Sequence, residues 1–187
     1  MTKPRLLVFA TLAGAALLLL AVLYWMTAST VHAPPASLDP LKLTNSPRPA
    51  PSAVFTGAGG RLASLRVFKG RYVLLNLWAP WCGPCVKELP ALAALQRAMP
   101  RDRFVVVPVD VGREGQSDAQ EFLAGHGAGT LLTYVDTNAA LLRAFGGYGL
   151  PMTALIDPEG NEIARAEGAP NWAAPESVDY LRQMVGR

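Results

Sequence analysis

Cysteine and histidine are scarce in this chain. Among its 187 residues there are two cysteines, Cys82 and Cys85, and two histidines, His32 and His126. A structural zinc site needs about four ligands, and one Cys-x-x-Cys pair with two histidines at no finger-like spacing does not supply them. A copper carrier would want a wider cysteine spacing and a nearby histidine, which Gly83-Pro84 does not leave room for. We therefore expect no bound metal or other cofactor.

A surplus of charge is also missing from most of the chain. The formal net charge is +3, but from residue 53 onward 13 basic residues face 13 acidic ones. The basic excess therefore lies before residue 53, and no cluster of lysine and arginine follows it. Nucleic-acid binding has no electrostatic support.

Internal repeats and phosphate-binding glycine loops are absent as well. Two glycine clusters, at 125–129 and 146–149, follow predicted helices and open none, so they lack the context that a phosphate loop requires. Helix termination explains them better. His126, inside the first cluster, is interpreted as a surface cap and not as a catalytic base.

One long uncharged stretch is present near the N-terminus. Leu6 to Met26 spans 21 residues, which as a helix rises about 31 Å against a hydrocarbon core of about 30 Å. Lys3 and Arg5 should keep residues 1–5 cytoplasmic. We predict a transmembrane anchor over 6–26 in a bacterial-type inner membrane, with the rest of the chain in the periplasm. A cleaved signal peptide is the alternative, although its apolar region is usually shorter and Val31-His32-Ala33 is a poor cleavage site.

Proline is concentrated between the anchor and the domain. Residues 27–52 contain six prolines among small and polar residues. This composition predicts an extended linker that reaches up to about 75 Å from the membrane. Such a tether raises the effective concentration of substrates in the same membrane. The folded domain is predicted to cover 53–187.

The remaining sequence alternates between strand and helix patterns. The nearly continuous apolar run Tyr72 to Trp78 predicts a strand buried on both faces, and Pro108 suggests that pairing of the next strand stops near Val107. Pro90 predicts a bend in the helix after Cys82. The alternation predicts an α/β domain with a parallel sheet, in which the turn at 157–161 returns an antiparallel strand. The other predicted elements are a hairpin (54–55 with 62–65), strands 104–109, 131–135, 153–156 and 162–166, and helices 117–124, 138–145 and 175–185.

The two cysteines lie in Trp78-Ala79-Pro80-Trp81-Cys82-Gly83-Pro84-Cys85, where the buried strand meets a helix. Cys82 at the first helical turn and Cys85 three residues on share one face and can close a disulfide. The helix N-terminus stabilises a thiolate, which lowers the pKa of Cys82 below the usual value of about 8.5. Cys82 is therefore the expected nucleophile and Cys85 the resolving thiol. A purely structural disulfide would usually close a longer loop.

These residues resemble the thioredoxin fold, and within it the membrane-anchored TlpA-like branch that includes the ResA-like and CcmG-like reductants. Residues 53–187 carry the similarity, through the cysteine motif, Glu88 with Pro90, and Gly149-Leu150-Pro151. Between the strands that contain Val107 and Thr153, plain thioredoxins have a single helix. The extra strand and helix predicted there also resemble this branch. The expected architecture is a thioredoxin fold with a strand–helix insertion, preceded by one transmembrane helix.

The resemblance also implies roles for individual residues. Pro151 would be the cis-proline that faces the disulfide, although Met152 stands where many relatives have threonine. Asn76 occupies the place of the buried aspartate of thioredoxins, and Glu88 matches the glutamate of this branch, one helical turn from Cys85. The alternative for Glu88 is a solvated or dipole-stabilising glutamate near a helix start. Trp81 and Pro84, beside the cysteines, are expected to support the site.

Together these observations predict an exported, membrane-tethered thiol-disulfide oxidoreductase whose redox centre is the Cys82-Cys85 pair. Its expected partners are proteins with cysteine pairs, from cytochrome c or cytochrome oxidase assembly, and a transmembrane electron donor. The alternative is a non-catalytic thioredoxin-like module that delivers a metal or docks a partner.

Overall fold

A computed structural model of the chain describes residues 33–186 together with Leu18, Leu19 and Val22. The chain divides into two compact units, residues 1–33 and 34–187. In the first unit, Leu18, Leu19 and Val22 are helical and exposed. No helix among the described residues is long and apolar enough to span a bilayer. Apart from those three residues, the predicted segments 1–5 and 6–26 lie outside the described residues.

In the second unit, the described residues form one mixed sheet with helices on both faces. The strand order is β1-β8-β7-β4-β5-β6-β2-β3. The strands are β1 Leu41–Pro49, β2 Val54–Thr56, β3 Leu62–Ser64, β4 Tyr72–Trp78, β5 Phe104–Asp110, β6 Tyr134–Val135, β7 Met152–Ile156 and β8 Asn161–Glu167; the α-helices are α1 Gly83–Ala98, α2 Gln116–Gly125, α3 Ala140–Ala144 and α4 Pro175–Val185, with short 3-10 turns at Ala36–Leu38, Ala58–Gly60 and Leu65–Phe68.

Strand β4 lies at the centre of the sheet and is buried from Val73 to Trp78, as its apolar sequence predicts. It pairs parallel with β5 and antiparallel with β7. The predicted parallel pairing of the sheet is therefore wrong for β7, which is antiparallel to β4. A parallel connection must carry the chain back along the sheet, whereas α3 has only five residues. The chain re-enters the sheet at the end where β6 stops, and β7 runs the opposite way.

The core consists of two apolar clusters, one on each face of the sheet. Leu74 and Trp78 of β4 belong to the cluster that contains residues of α1, α2 and α4. Leu75 and Leu77 belong to the other, with Leu141 of α3 and Phe55 of β2. Because side chains alternate along a strand, residue 76 shares the α1 face with its even-numbered neighbours. This register decides what Asn76 can contact.

The predicted linker over 27–52 is wrong for its second half. Strand β1 pairs antiparallel with β8, with an irregularity between Leu43 and Arg48. Leu38 and Leu41 are almost fully buried, so the compact unit begins near residue 34 and not at 53. The prolines are tolerated because β1 is an edge strand, where a missing N–H need not break a ladder bond.

Strand β5 also runs further than predicted. It pairs with β4 through Asp110, and Pro108 lies opposite Asn76. In a parallel strand the N and O of one residue point to the same side, and the Pro108 carbonyl accepts from Thr133 Oγ1 on the β6 side. The missing N–H therefore faces away from β4, and the β4–β5 ladder continues past the proline.

The other predicted elements are found, with shifted ends. The hairpin pairs β2 with β3, and β8 returns antiparallel to β7 after a turn in which Gly160 has φ +94°. Helix α1 continues through Pro90. β6 and α3 are shorter than predicted, and together with α2 they form the insertion between β5 and β7.

Candidate active site

Cys82 and Cys85 form a disulfide at the junction of β4 and α1. Their Cα atoms are 5.3 Å apart. Since β4 lies at the centre of the sheet, the pair is delivered to the carboxyl end of its parallel strands, where sites form in open α/β folds. The predicted disulfide is thus present, at the predicted end of the sheet.

Cys82 is the N-cap of α1, one residue before the predicted first turn. Its Sγ accepts a hydrogen bond from the backbone N–H of Cys85 at 3.3 Å, in the manner of a capping oxygen. After reduction, a thiolate at this position accepts the same N–H and lies at the positive end of the helix dipole. Cys82 retains 6% of its surface and Cys85 retains none. Only Cys82 is open to an incoming disulfide.

Two predicted supporting residues flank this sulfur on the surface. Trp81 is 72% exposed, and Pro84, in the first turn of α1, is exposed as well. Tyr148, which the sequence did not single out, is 96% exposed in the loop before β7. Trp81 and Pro84 thus offer apolar surface next to the cysteines in the chain, and all three side chains are largely open to solvent.

Pro151 follows a cis peptide bond with Leu150, as the resemblance implied. Because β7 is antiparallel to β4 and Met152 lies opposite Leu77, Pro151 lies at the same end of the sheet as the cysteines. Met152 itself is fully buried. Its side chain therefore belongs to the core and not to the exposed surface.

Glu88 lies one turn beyond Cys85 on α1 and is only 4% exposed. Its Oε1 accepts from Asn76 Nδ2 at 2.8 Å, and its Oε2 accepts from Trp172 Nε1 at 3.0 Å. Because its side chain is buried and bonded on both oxygens, the alternative of a solvated glutamate is wrong.

Burial changes the acidity of this carboxyl. Burial raises the pKa of Glu88 and the hydrogen bonds from Asn76 and Trp172 lower it, so that it lies at about 7, above the ordinary 4.5. A carboxyl with a pKa near neutrality can accept and release a proton at ordinary pH. The site thus contains a buried carboxyl with a pKa near neutrality on the helix that carries both cysteines.

Two residues that the sequence did not reveal complete this network. Thr153 lies opposite Asn76 in the β4–β7 pairing, and its Oγ1 accepts from Asn76 Nδ2 at 3.0 Å. Trp172 is fully buried in the segment between β8 and α4. A tryptophan among small residues between two predicted elements was the available sequence signal for Trp172, and it does not identify the hydrogen-bond partner.

A second buried carboxyl lies at the same end of the sheet, where the parallel strands β4 and β5 stop. Asp110, the last residue of β5, pairs with Trp78 in the ladder and accepts from the Gly112 N–H at 2.7 Å. Burial raises the pKa of Asp110 from 3.8 to about 6, and the charge of Glu114 adds to this. Asp110 was not predicted as a site residue. Its side-chain hydrogen bond lies within its own loop.

Metal ligands are not gathered at this site. Within the residues that the structure describes, no group of three or more His, Cys, Asp or Glu side chains can hold a metal ion. His126 is exposed at the C-terminus of α2, where its ring stacks on Phe122 and its Nδ1 lies 2.8 Å from the Phe122 carbonyl oxygen. This is the predicted surface cap.

Comparison with known sequences finds relatives that are named as thiol-disulfide oxidoreductases. The profile described as Redoxin matches residues 45–181. The thiol-disulfide oxidoreductase ResA of Bacillus subtilis is 33% identical over 119 residues, which cover 64% of this chain and 65% of that protein. The chain thus spans just under two thirds of that relative. ResA of Bacillus thuringiensis subsp. konkukian is 28% identical, over 73% of this chain and 76% of that protein.

Solved structures show the same fold. A Chlorobium tepidum protein assigned as a thiol:disulfide interchange protein DsbE aligns with a TM-score of 0.63 at 28% identity, covering 78% of this chain and 98% of that one. The exposed lipoprotein thioredoxin Etrx1 of Streptococcus pneumoniae aligns with a TM-score of 0.55 at 26% identity, over 73% and 98%. The predicted thioredoxin-like α/β fold is confirmed.

Proposed function

This chain belongs to the Redoxin family, and from that premise we propose that it is a thiol-disulfide oxidoreductase acting through Cys82 and Cys85. The observation that carries the proposal is the Cys82–Cys85 disulfide at the N-terminus of α1, with one sulfur accessible and the other buried. A reduced pair in this geometry has an activated thiol facing solvent and a second thiol held beside it.

The reaction follows from this asymmetry. The Cys82 thiolate attacks one sulfur of a substrate disulfide, forms a mixed disulfide and releases the other substrate sulfur as a thiolate, which takes a proton. The Cys85 thiolate then attacks Cys82 Sγ, which frees the second substrate sulfur. The substrate gains two electrons and two protons, and the Cys82–Cys85 disulfide is formed again.

Glu88 is the proposed proton acceptor for the second step. Cys85 is fully buried, and burial makes an unaided thiolate costly. Glu88 lies one turn away on the same helix, and its raised pKa of about 7 suits it to take the Cys85 proton near neutral pH. Pro151, Trp81 and Pro84 surround the reacting pair at the same end of the sheet, where they would present backbone and apolar surface to an extended substrate.

Glu88→Gln is expected to slow release of the mixed disulfide by about 10- to 100-fold at pH 7, because Cys85 then loses its proton without a buried base. Attack by Cys82 should change little. Single-turnover kinetics with a fluorogenic peptide disulfide separates the two steps. Glu159→Gln is the control, since Glu159 is exposed in the β7–β8 turn at the far end of the sheet. An unchanged release rate and pH profile would leave Glu88 a structural role only.

We further propose that the protein donates electrons to cysteine pairs of cytochrome c or cytochrome oxidase assembly proteins. The ResA-like and CcmG-like resemblance supports this. The uncharged segment 6–26 supports an inner-membrane anchor with the domain in the periplasm. An exported compartment is already oxidising, so a tethered reductant gains most from closeness to a transmembrane electron donor.

The redox potential of the Cys82–Cys85 pair is expected to be more negative than about −200 mV, since Gly83-Pro84 is the dipeptide of reducing thioredoxins at about −270 mV. Equilibration with dithiothreitol buffers measures it, and acid trapping of thiols in intact cells should find the pair mostly reduced. A potential near the −120 mV of a strong oxidant would reverse the assigned direction.

A further inference from the structure

Asn76 presents a hydrogen-bonding imbalance beside Glu88. The side chain is fully buried and uses its amide nitrogen twice, donating to Glu88 Oε1 at 2.8 Å and to Thr153 Oγ1 at 3.0 Å. In the described part of the chain its oxygen Oδ1 has no hydrogen-bond partner. Both N–H groups of Asn76 therefore donate hydrogen bonds, while its carbonyl oxygen accepts none among the described residues.

This arrangement serves only the ionised form of Glu88. Both carboxylate oxygens receive N–H donors, from Asn76 and from Trp172. An indole N–H can only donate, so the oxygen facing Trp172 must remain an acceptor in either protonation state. A proton added to Glu88 is therefore better placed on Oε1, where it meets the N–H of Asn76, because Asn76 also has an acceptor and Trp172 has none. Two donors would then face each other in a buried site.

We infer that Asn76 is a positioning residue whose amide reverses when Glu88 gains a proton, donating to the carboxylate in one state and accepting from the carboxylic acid in the other. Reversal places Oδ1 between Glu88 Oε1 and Thr153 Oγ1. The acid O–H then donates to Oδ1, and the Thr153 hydroxyl turns to donate to it as well, since a hydroxyl can take either role.

The reversal exchanges one unpaired acceptor for the two N–H groups of the amide nitrogen, and the two new hydrogen bonds to Oδ1 must offset that cost. The position that Oδ1 now occupies has no partner, and the amide nitrogen would take that same position after the flip. The balance between the orientations is thus set by Glu88 and Thr153. An aspartate at 76 could not donate to an ionised Glu88 unless it were itself protonated, which gives a physical reason for asparagine here.

The groups that act on Glu88 come from three elements besides its own. These are Asn76 of β4, Thr153 of β7 through Asn76, and Trp172 of the β8–α4 segment; on α1 the titratable neighbour is the Cys82–Cys85 pair. In the oxidised protein the cysteines do not titrate. The inference rests on the proposed role of Glu88 as a proton carrier, but it is testable in the oxidised protein, without any exchange reaction.

The direct test is an NMR titration of the full chain, kept oxidised, following the Glu88 carboxyl carbon and the two Asn76 side-chain amide hydrogens. Glu88→Gln assigns the carboxyl signal. As Glu88 takes up its proton, both Asn76 hydrogens should move to the shifts of unbonded amides, with the same midpoint as the carboxyl. If the hydrogen facing Thr153 keeps its shift across the titration, the amide is fixed and the inference is wrong.

Variants give an independent readout. Trp172→Phe removes a donor that favours the carboxylate, so the Glu88 midpoint should rise by about one pH unit. Asn76→Leu removes a partner of both forms and should move it by less than about half a unit. Trp78→Phe is the matched control, since Trp78 is equally buried and its Nε1 has no hydrogen-bond partner among the described residues. An equal rise in Asn76→Leu and Trp172→Phe would show a fixed donor. Absence of disulfide exchange, by contrast, would count against the proposed function and leave this titration unaffected.

Discussion

Cys82→Ser is expected to reduce disulfide exchange by at least about 1,000-fold, to the uncatalysed background. Cys82 is the one sulfur of the pair with exposed surface, and it lies at the N-cap of α1, where Cys85 N–H stabilises its charge. A serine hydroxyl at this position does not form a mixed disulfide. Insulin reduction with dithiothreitol as electron source measures the loss.

Cys85→Ser is the matched control, because it keeps Cys82 and the helix cap. This variant should still react once with a disulfide but should not release the product, which a burst without turnover would reveal. If Cys82→Ser retained the biological activity of the chain, the alternative of a non-catalytic metal-delivery or partner-binding module would be favoured over an oxidoreductase.

The stability of the oxidised protein is expected to fall by about 3 kcal/mol between pH 4.5 and pH 8 because of Glu88. Its pKa is raised in the folded state, from 4.5 to about 7. Below pH 4.5 the carboxyl is largely protonated in both states, and this contribution to stability is fully present. As the pH rises through 7, the unfolded chain ionises first, so the contribution is lost.

Glu88→Gln should remove this pH dependence. The free energy of unfolding of the variant should therefore rise relative to that of the wild type as the pH rises. Urea unfolding at pH 4.5 and pH 8 without reductant keeps the cysteines from titrating. Glu159→Gln, at an exposed glutamate, should retain the wild-type difference. Asp110 adds a loss of its own between pH 3.8 and about 6, which all three proteins share. An identical pH dependence in Glu88→Gln and wild type would contradict the buried carboxyl.

Much of the fold could be predicted because its signals are local. The apolar run of β4, the turn around Gly160 and the amphipathic helix α4 each follow from neighbouring residues. Strand direction is less local. Whether β7 runs parallel or antiparallel to β4 depends on the end of the sheet at which the β6–β7 connection re-enters it. The sequence shows the length of that connection but not its path.

Composition misled the prediction at residues 34–52. Proline-rich stretches usually remain extended and unpacked, yet an edge strand tolerates proline, and β1 pairs with β8. The alternation of Leu41 and Leu43 around Lys42 was the available strand signal. It is short, and its partner lies more than 100 residues later in the chain.

The reacting cysteines were predictable, as were the positions Asn76 and Glu88 through the resemblance, whereas Thr153, Trp172 and the contacts within this network were not. A Cys-x-x-Cys spacing after a buried strand predicts dithiol/disulfide exchange from neighbouring residues alone. Asn76 and Trp172 contact Glu88, and Thr153 contacts Asn76, only because β4, β7 and the β8–α4 segment converge on α1. Ser37 helps to hold that segment, since its carbonyl accepts from the Asn171 N–H at 2.9 Å.

The measurement that tests the central claim most directly is covalent trapping with the Cys85→Ser variant. Incubated with a peptide disulfide, or expressed in cells, it should accumulate mixed disulfides that join Cys82 to the partner's cysteine, identified by mass spectrometry and released by dithiothreitol. The Cys82→Ser/Cys85→Ser double variant should form none. Absence of any adduct from Cys85→Ser, while the Cys82 thiol remains accessible to alkylation, would contradict the claim that this chain exchanges disulfides through Cys82.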